Sequence, residues 1–327
     1  MSAFSRGVDA LLEASVLGSF TRLGSLARSR LDHWVSLEGK DLQGRVVVIT
    51  GATSGLGLVT ARALARLGAS IEVVARNAGK ADALCAQLRK DTGNPNVRFV
   101  VAELGHLASV RSAAAELQKR NPAIDVLIHN AGALDDVRHT TPEGLEQTVA
   151  CHVVGPFLLS EMLRPQLCEA ALKASRARVL WVSSGGMYSE RLDVSRLELA
   201  AEKYDGTLAY ARAKRAQVTL AALQAERFTP DGIVVQTMHP GWADTPGVAR
   251  SLPVFRKLVG GLLRSPEEGA DTLIWLAADD GEPLTGSGRF WHDRRPRALH
   301  RLASTARTDT PQERQKLWDW VVAASAR

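Results

Sequence analysis

A tyrosine and a lysine stand four residues apart in the segment YARAK, at Tyr210 and Lys214. On a helix, residues at this spacing share one face and can touch. Free tyrosine has a pKa of about 10, and a neighbouring lysine cation favours the phenolate and lowers that value. Such a pair could exchange a proton with a substrate near neutral pH. A plain surface pair has the same spacing, so the rest of the sequence must show what positions these two residues.

Short apolar runs alternate with helix-like patterns from residue 44 onward. The apolar runs predict strands at 45–50, 70–75, 97–102, 124–129, 177–183, 232–238 and 287–291. Helical patterns predict helices at 56–67, 78–90, 107–120, about 143–173, 208–228 and 266–278. The strand runs do not alternate with polar residues, as expected when helices cover both faces of a sheet. The chain is therefore predicted to be an α/β protein with a doubly wound, mostly parallel sheet, a Rossmann fold.

Helical extensions are predicted on both sides of this central domain, which spans 41–295. Residues 1–40 form an amphipathic extension, because apolar side chains recur every three or four positions through 7–35. Its apolar face could pack on the domain or on a second subunit, or it could lie on a membrane surface. Residues 296–327 form a basic tail, whose final helix could pack on the domain or on a second subunit.

Composition limits the classes of protein to consider. Of the 327 residues, 45% are hydrophobic and 23% are charged, which suits a globular protein with a substantial core. The net charge is +6, but no nucleic-acid motif accompanies it, so we expect no nucleic-acid partner. Cys85, Cys151 and Cys168 are scattered and odd in number, which predicts neither disulfides nor a metal site. The sequence lacks a signal-peptide pattern and a long apolar run, which predicts a cytoplasmic protein, at most peripheral to a membrane.

A glycine-rich loop, TGATSGLG at 50–57, joins the first predicted strand to the first predicted helix. Glycines there let backbone N–H groups approach a pyrophosphate, and a helix N-terminus favours its negative charge. Because the loop lies between a strand and a helix, a dinucleotide site is favoured over a plain turn. The predicted cofactor contacts in the loop are Gly51, Thr53, Ser54, Gly55, Leu56 and Gly57.

The end of the second strand indicates which dinucleotide binds. An acidic residue about twenty positions after the loop would hold a free ribose 2′-hydroxyl. Arg76 stands nineteen residues after Gly57, whereas the acidic Glu72 lies earlier in the strand. A cation suits a 2′-phosphate, so the sequence predicts NADP(H) rather than NAD(H). The alternative is that Arg76 simply faces solvent.

Four more segments follow the glycine loop in order. They are HNAG at 129–132, VSSGG at 182–186, YARAK at 210–214 and HPGWADTP at 239–246. Together with the loop, they resemble the short-chain dehydrogenase/reductase family over residues 42–292. The resemblance implies an oxidoreductase that interconverts a carbonyl and an alcohol with a nicotinamide cofactor.

The resemblance also implies a role for each polar group of the site. Tyr210 is the implied acid/base, and Lys214 is implied to tune it and to hold the nicotinamide ribose. Ser184, rather than Ser183, is implied to hydrogen-bond the substrate oxygen. The expected cofactor contacts beyond the loop are Arg76, Asn77, Glu103, Leu104, Asn130, Ala131, Gly132, Tyr210, Lys214, Pro240, Gly241 and Thr245.

Two of these positions depart from the family pattern. His152 stands where many relatives have an asparagine that completes a tetrad by holding a water near the lysine. An imidazole could hold the same water, which makes His152 a catalytic candidate, or it could be an ordinary packed histidine. Glu103 stands where aspartate is usual, and its longer side chain could still accept a hydrogen bond from the adenine amino group.

The substrate side of the site is less defined by the sequence. Twenty-five residues separate Ser184 from Tyr210, and we expect 187–207 to form a flap or wall over the substrate pocket. The apolar character of 244–265 suggests a small or medium lipophilic substrate, although packing explains it equally well. A non-catalytic dinucleotide sensor or scaffold is the alternative function, and either protein could form a homo-oligomer.

Overall fold

The apolar runs form the strands of one sheet in the computed structural model, which describes residues 3–174 and 177–327. The strands are β1 (Val46–Thr50), β2 (Ser70–Ala75), β3 (Val97–Val101), β4 (Val126–His129), β5 (Arg178–Val182), β6 (Val234–Met238), β7 (Phe290–His292) and β8 (Arg295–Arg297). Their order in the sheet is β3-β2-β1-β4-β5-β6-β7-β8, and only the β7–β8 pair is antiparallel. The predicted doubly wound, mostly parallel sheet is confirmed. Residues 1 and 2 of the predicted extension, and 175 and 176 of the predicted domain, lie outside the described residues.

The last strand, β8, is not predicted from the sequence, which places the end of the sheet near residue 291. Asp293 and Arg294 have positive φ angles of 54° and 52°, and they form the turn that pairs β7 with β8. Positive φ at both central residues is the geometry of a tight hairpin. A three-residue edge strand with a central proline contains no apolar run, so hydrophobic periodicity cannot detect it.

Helices cover both faces of the sheet. The helices are α1 (Ala3–Glu13), α2 (Val16–Phe20), α3 (Arg22–Leu31), α4 (Gly55–Arg66), α5 (Ala78–Thr92), α6 (Leu107–Arg120), α7 (Gln147–Val149), α8 (Gly155–Ala174), α9 (Gly206–Phe228), α10 (Pro246–Ser251), α11 (Pro253–Val259), α12 (Pro266–Ala278), α13 (Ala303–Ala306) and α14 (Pro311–Ser325). On one face, α6, α8, α9 and α14 bury Val48 and Val179. On the other face, α4, α5 and α12 bury Val47 and Ile49. The central strands are thus covered on both sides, which explains their continuous apolar sequences.

The N-terminal segment contains three helices, α1, α2 and α3, rather than one continuous helix. Ser15 caps α2 with its side chain and thereby separates it from α1. The breaks turn the apolar side chains in different directions, since Phe20 is buried whereas Leu11 and Leu23 are 75% and 58% exposed. Within the described residues, no helix has both the length and the apolar character needed to span a membrane.

The C-terminal helix α14 packs on the domain of its own chain. Leu317 and Val321 are fully buried, in contact with the core that α8 and α9 form. The Arg227 guanidinium lies 3.6 Å from the centre of the Trp318 ring. Of the two positions that the sequence allowed for this helix, the structure shows the intramolecular one.

Candidate active site

Four adjacent strands bring the candidate site residues to one edge of the sheet. Strands β1, β4, β5 and β6 are neighbours and run parallel, so the loops after their carboxyl ends lie side by side. The glycine loop follows β1, and Asn130 follows β4. Ser184 follows β5, and Pro240 follows β6. The fold therefore unites segments that are distant in the sequence.

The glycine loop is held by the chain that follows β4. Asn130 Nδ2 donates to the carbonyl oxygens of Thr50 and Gly51, at 3.0 Å each. Gly51 has a φ of 68°, and a Cβ built there would lie 2.6 Å from Ala131 Cα. Only glycine fits this position. Because α4 begins at Gly55, its first N–H groups lack intrahelical partners and suit a pyrophosphate.

Tyr210 and Lys214 lie one turn apart on α9, beside the turn that contains Ser184. The Lys214 ammonium nitrogen is 5.3 Å from the centre of the Tyr210 ring and donates to Val182 O at 2.9 Å. Ser184 lies near enough to Tyr210 for its hydroxyl to lower the pKa of the tyrosine. Ser183 instead donates to Lys214 O at 3.1 Å and so supports the helix. The structure thus brings together Ser184, Tyr210 and Lys214, and gives Ser183 a different partner.

The pKa of Tyr210 differs from the sequence-based expectation. Burial raises the pKa of Tyr210 to about 12, and the nearby Ser184 hydroxyl opposes this rise only in part. Burial lowers the pKa of Lys214 to about 7, because desolvation penalises the charged form. The expected lowering of the tyrosine pKa by Lys214 is therefore not seen: burial is the largest cause of the shift, and the Lys214 nitrogen donates to Val182 O. Tyr210 keeps its proton at neutral pH.

His152 lies in a π-helical turn, Ala150–Val154, that joins α7 to α8. Its Nδ1 donates to Thr148 O at 2.7 Å, and its Nε2 accepts from Ala133 N at 3.2 Å. Burial lowers the pKa of His152 to about 3, so the ring is neutral. The ring is perpendicular to that of Tyr210, with 5.4 Å between centroids. Because both nitrogens are bonded to main chain, the geometry favours a packed histidine over a water ligand, and a role in turnover stays a prediction.

The residues predicted to bind the adenosine half of a cofactor follow β2 and β3. The Arg76 side chain is 73% exposed, and its Nη1 lies 4.0 Å from the Glu103 carboxylate. Asn77 caps α5 by accepting a hydrogen bond from Lys80 N at 2.9 Å. Leu104 is buried. The Arg76 guanidinium is thus accessible to a 2′-phosphate, while cofactor contacts of Asn77, Glu103 and Leu104 stay predictions.

The loop after β6 lies against the glycine loop. Thr245 caps α10, and a Cβ built on Gly55 would lie 3.4 Å from Thr245 Cβ. Arg264 Nη1 donates to Pro240 O at 3.3 Å and supports the turn that contains Gly241. The sequence alone does not identify Arg264 as a site residue, because no motif contains it. Its only signal is a single cation at the end of an apolar stretch.

The predicted flap, 187–207, packs along α9 and α14 through short 3₁₀ turns. Arg215 Nε donates to Met187 O at 3.1 Å, and Val194 N donates to the Glu313 carboxylate at 2.7 Å. Two surface clefts of about 540 and 610 Å³ separate parts of this segment from α14 and its preceding loop. Neither cleft is lined by Tyr210, so neither is the predicted substrate pocket.

Comparisons with known proteins show what the chain is similar to. The family model described as short chain dehydrogenase matches residues 45–253. The chain is 36% identical over 276 residues to human dehydrogenase/reductase SDR family member 12, and the match covers 84% of each chain. The segments MHPGWADTPGV (238–248) and SGRFWHDRRP (287–296) closely resemble this relative.

Two further proteins are similar over most of the chain. Mouse polyprenol dehydrogenase is 33% identical over 258 residues, which cover 76% of each chain. The structure of Pseudomonas aeruginosa RhlG in an active-site complex with NADP has a TM-score of 0.62 at 24% identity. This match covers 76% of the present chain and 94% of the other, and it shows a common fold.

Proposed function

The chain belongs to the short-chain dehydrogenase/reductase family, and we propose that it uses NADP(H) to interconvert a carbonyl and an alcohol on a small or medium lipophilic substrate. The observation that carries the proposal is the cluster of Ser184, Tyr210 and Lys214. The cluster lies at the carboxyl ends of the parallel strands, where the glycine loop also begins. This arrangement supports proton transfer beside a bound dinucleotide.

Tyr210 is the proposed acid. With a pKa of about 12 it holds its proton at neutral pH, and it can donate that proton to a carbonyl oxygen. Ser184 can donate a hydrogen bond to the same oxygen, because its Oγ otherwise accepts one from Gly186 N at 3.4 Å. A bound NADPH would supply the hydride for the carbonyl carbon. The protonated tyrosine is the form that carbonyl reduction requires.

The residues of the chain fit an NADP(H) molecule. Gly51 lets the glycine loop pack against Ala131, and the first N–H groups of α4, which begins at Gly55, suit a pyrophosphate. The exposed Arg76 suits a 2′-phosphate, and it stands where an acidic residue would be needed for NAD(H). The RhlG structure is a complex with NADP, which is in line with this choice.

Exposed apolar side chains support a lipophilic substrate. Val254 and Leu258, on the helix α11 that follows Thr245, are 70% and 79% exposed. One relative is named for a lipid alcohol, polyprenol.

The proposal has three further parts: the protein is located in the cytoplasm, residues 7–35 make weak contact with a membrane surface, and the chain forms a homo-oligomer. Cell fractionation, liposome flotation and light scattering of the full chain test these three parts.

The direct test is oxidation of NADPH against a broad panel of aldehydes and ketones, with the wild type beside Tyr210→Phe. We expect turnover in the wild type and its loss in Tyr210→Phe, with NADPH binding preserved. Tight NADPH binding without turnover, in the reduction and the alcohol-oxidation direction, would favour the alternative of a dinucleotide sensor or scaffold. Absence of dinucleotide binding would overturn both functions.

A further inference from the structure

Phe20, at the end of α2, packs directly on the turn that contains Ser184. The Phe20 ring is buried, and it touches the residue that follows the serine. A Cβ built on Gly185 would overlap the ring, so the ring rests on bare main chain. Ser184 is the N-cap of the 3₁₀ turn that begins at Gly185. The position of the Ser184 hydroxyl is therefore linked to the position of the Phe20 ring.

The same residue contacts the loop after β6. Phe20 O accepts hydrogen bonds from Trp242 N at 2.8 Å and from Arg264 Nε at 3.0 Å. The centre of its ring lies 4.5 Å from that of His239 and 5.9 Å from that of Trp242. His239 and Trp242 flank Pro240 and Gly241, which are predicted to lie beside the nicotinamide. One residue of the N-terminal segment thus contacts two of the four loops that form the site.

Buried charges hold this part of the N-terminal segment in place. Ser19 O accepts hydrogen bonds from Arg264 Nη2 at 2.8 Å and from Arg28 Nη1 at 3.2 Å. The same two guanidinium groups pair with Asp293, at 2.5 Å from Arg264 and 2.6 Å from Arg28. None of the three charged side chains is more than 1% exposed. We call Arg28, Arg264 and Asp293 the N-terminal clamp, and it fixes the main chain at Ser19 and Phe20 against the β7–β8 turn.

We propose that Phe20 is a positioning residue of the active site, which holds the Ser184 turn and the Pro240-Gly241 loop in the arrangement that Tyr210 requires. The inference rests on the proposed function, because the reaction defines which arrangement must be held. It makes the N-terminal segment part of the active site rather than only an appendage. Small misplacements of reacting groups cost large factors in rate, so removal of the ring is expected to lower kcat more than NADPH affinity.

A kinetic series in the full-length chain tests the proposal. We expect Phe20→Ala to lower kcat by about tenfold to a hundredfold, and Phe20→Leu, which keeps most of the buried volume, by less. Leu17→Ala is the matched control, because Leu17 lies on the same helix but is 53% exposed. Turnover is normalised to folded, NADPH-binding protein, so that a loss of folded material does not count as slower chemistry. Wild-type kcat in Phe20→Ala would overturn the proposal.

A double-mutant cycle separates positioning from general damage. If Phe20 acts through the serine, Phe20→Ala should matter much less once the Ser184 hydroxyl has been removed. We expect the tenfold or larger loss in the wild-type background to shrink to about threefold or less in a Ser184→Ala background, as coupled neighbours behave. Equal losses in both backgrounds would show that the two residues act independently, which would contradict the inference.

Hydrogen exchange followed by mass spectrometry keeps this inference distinguishable from the proposed function. In Phe20→Ala, amide protons in 184–189 and 240–243 are expected to exchange faster than in the wild type, whereas Leu17→Ala leaves them unchanged. This measurement needs no substrate. If the wild type turns over no substrate, the proposed function fails while exchange still reports on the two loops. Unchanged exchange in Phe20→Ala would overturn the positioning role, whatever the activity.

Discussion

The sheet edge and the N-terminal clamp hold catalytic groups in different ways. At the edge, Asn130 and Lys214 each bond to the main-chain oxygen of the last residue of a strand, Thr50 of β1 and Val182 of β5. In the clamp, Arg28 and Arg264 instead meet the carboxylate of Asp293, away from solvent. Burying charges carries a large desolvation cost, which is offset only while every partner is present. Substitutions at the sheet edge are therefore expected to lower kcat, and substitutions in the N-terminal clamp to lower the free energy of unfolding.

The largest expected effect belongs to the edge. Tyr210→Phe removes only a hydroxyl, and we expect kcat to fall by about 10²–10⁴-fold because the proton donor is lost. The thermal unfolding midpoint should stay close to that of the wild type, because the ring and its packing remain. Steady-state kinetics and calorimetry on one preparation would measure both quantities.

Tyr204→Phe is the matched control for that change. The Tyr204 hydroxyl bonds to Thr148 Oγ1 at 3.0 Å and to Asp135 O at 3.3 Å. The substitution therefore removes only structural hydrogen bonds. Turnover is expected to persist in this variant. A similar loss of kcat in both variants would mean that Tyr210 has no special role as an acid.

In the clamp, Asp293→Asn is expected to destabilise the protein by about 3–5 kcal/mol, because it removes the carboxylate that pairs with the buried Arg264. Arg28 also loses this partner but keeps its ion pairs with Asp9 and Glu13. Urea unfolding followed by circular dichroism would measure the change. The control is Asp244→Asn, which removes an exposed partner of Arg256 and should have a much smaller effect. Equal destabilisation by the two variants would remove the contrast between buried and exposed ion pairs.

The clamp also predicts how stability depends on pH. Burial tends to raise the pKa of Asp293, but His292 and the guanidinium groups of Arg264 and Arg28 outweigh it and hold that pKa well below its usual value. A carboxyl group whose folded-state pKa is lowered stabilises the fold above its unfolded pKa of about 4, and this stability is lost as the pH falls further. Asp293→Asn should therefore unfold with a weaker pH dependence below about pH 4 than the wild type. An unchanged slope would show that other carboxylates dominate acid unfolding.

A substitution of Arg76, which follows β2, is expected to have a smaller effect, on the affinity for the cofactor. Arg76→Ala should raise the Kd of NADPH by about tenfold, the size of one charge-assisted hydrogen bond, and leave the Kd of NADH nearly unchanged. Quenching of protein fluorescence would measure both constants. Lys90→Ala, the same loss of charge at the other end of α5, should change neither. Equal weakening of both cofactors in Arg76→Ala would contradict a contact with the 2′-phosphate.

The loops at the sheet edge can be predicted from the sequence, because the strands that position them are local apolar patterns. Buried parallel strands are continuous apolar runs, and each loop that carries a site residue follows one of them. The polar residues Asn130 and Ser184 lie just after β4 and β5. The sequence motifs that contain them therefore predict where they lie in the fold. The same reasoning cannot give the pKa of Tyr210, since spacing reveals the neighbouring Lys214 but neither the burial nor the carbonyl oxygen that the lysine binds.

The N-terminal clamp cannot be predicted in this way. Arg28 and Asp293 are 265 residues apart, and no periodicity links them. The apolar repeat through 7–35 suggests one helix with one face, whereas the cap at Ser15 divides it and leaves Phe20 inside. Side-chain pairing between distant segments depends on the folded arrangement, which a single sequence does not encode as a pattern.

His152 belongs to the edge, and its replacement is expected to have the smallest effect. The ring bonds only to main chain, through Thr148 O and Ala133 N, and an asparagine could replace the acceptor for Ala133 N. Burial lowers the pKa of His152 to about 3, so the ring stays neutral from pH 5 to 8. We therefore expect His152→Asn to retain turnover within about threefold and to leave the pH dependence of kcat over that range unchanged. Complete loss of turnover, or the disappearance of a kinetic pKa between 5 and 8, would show that the imidazole takes part in proton transfer and that the edge depends on more than main-chain contacts.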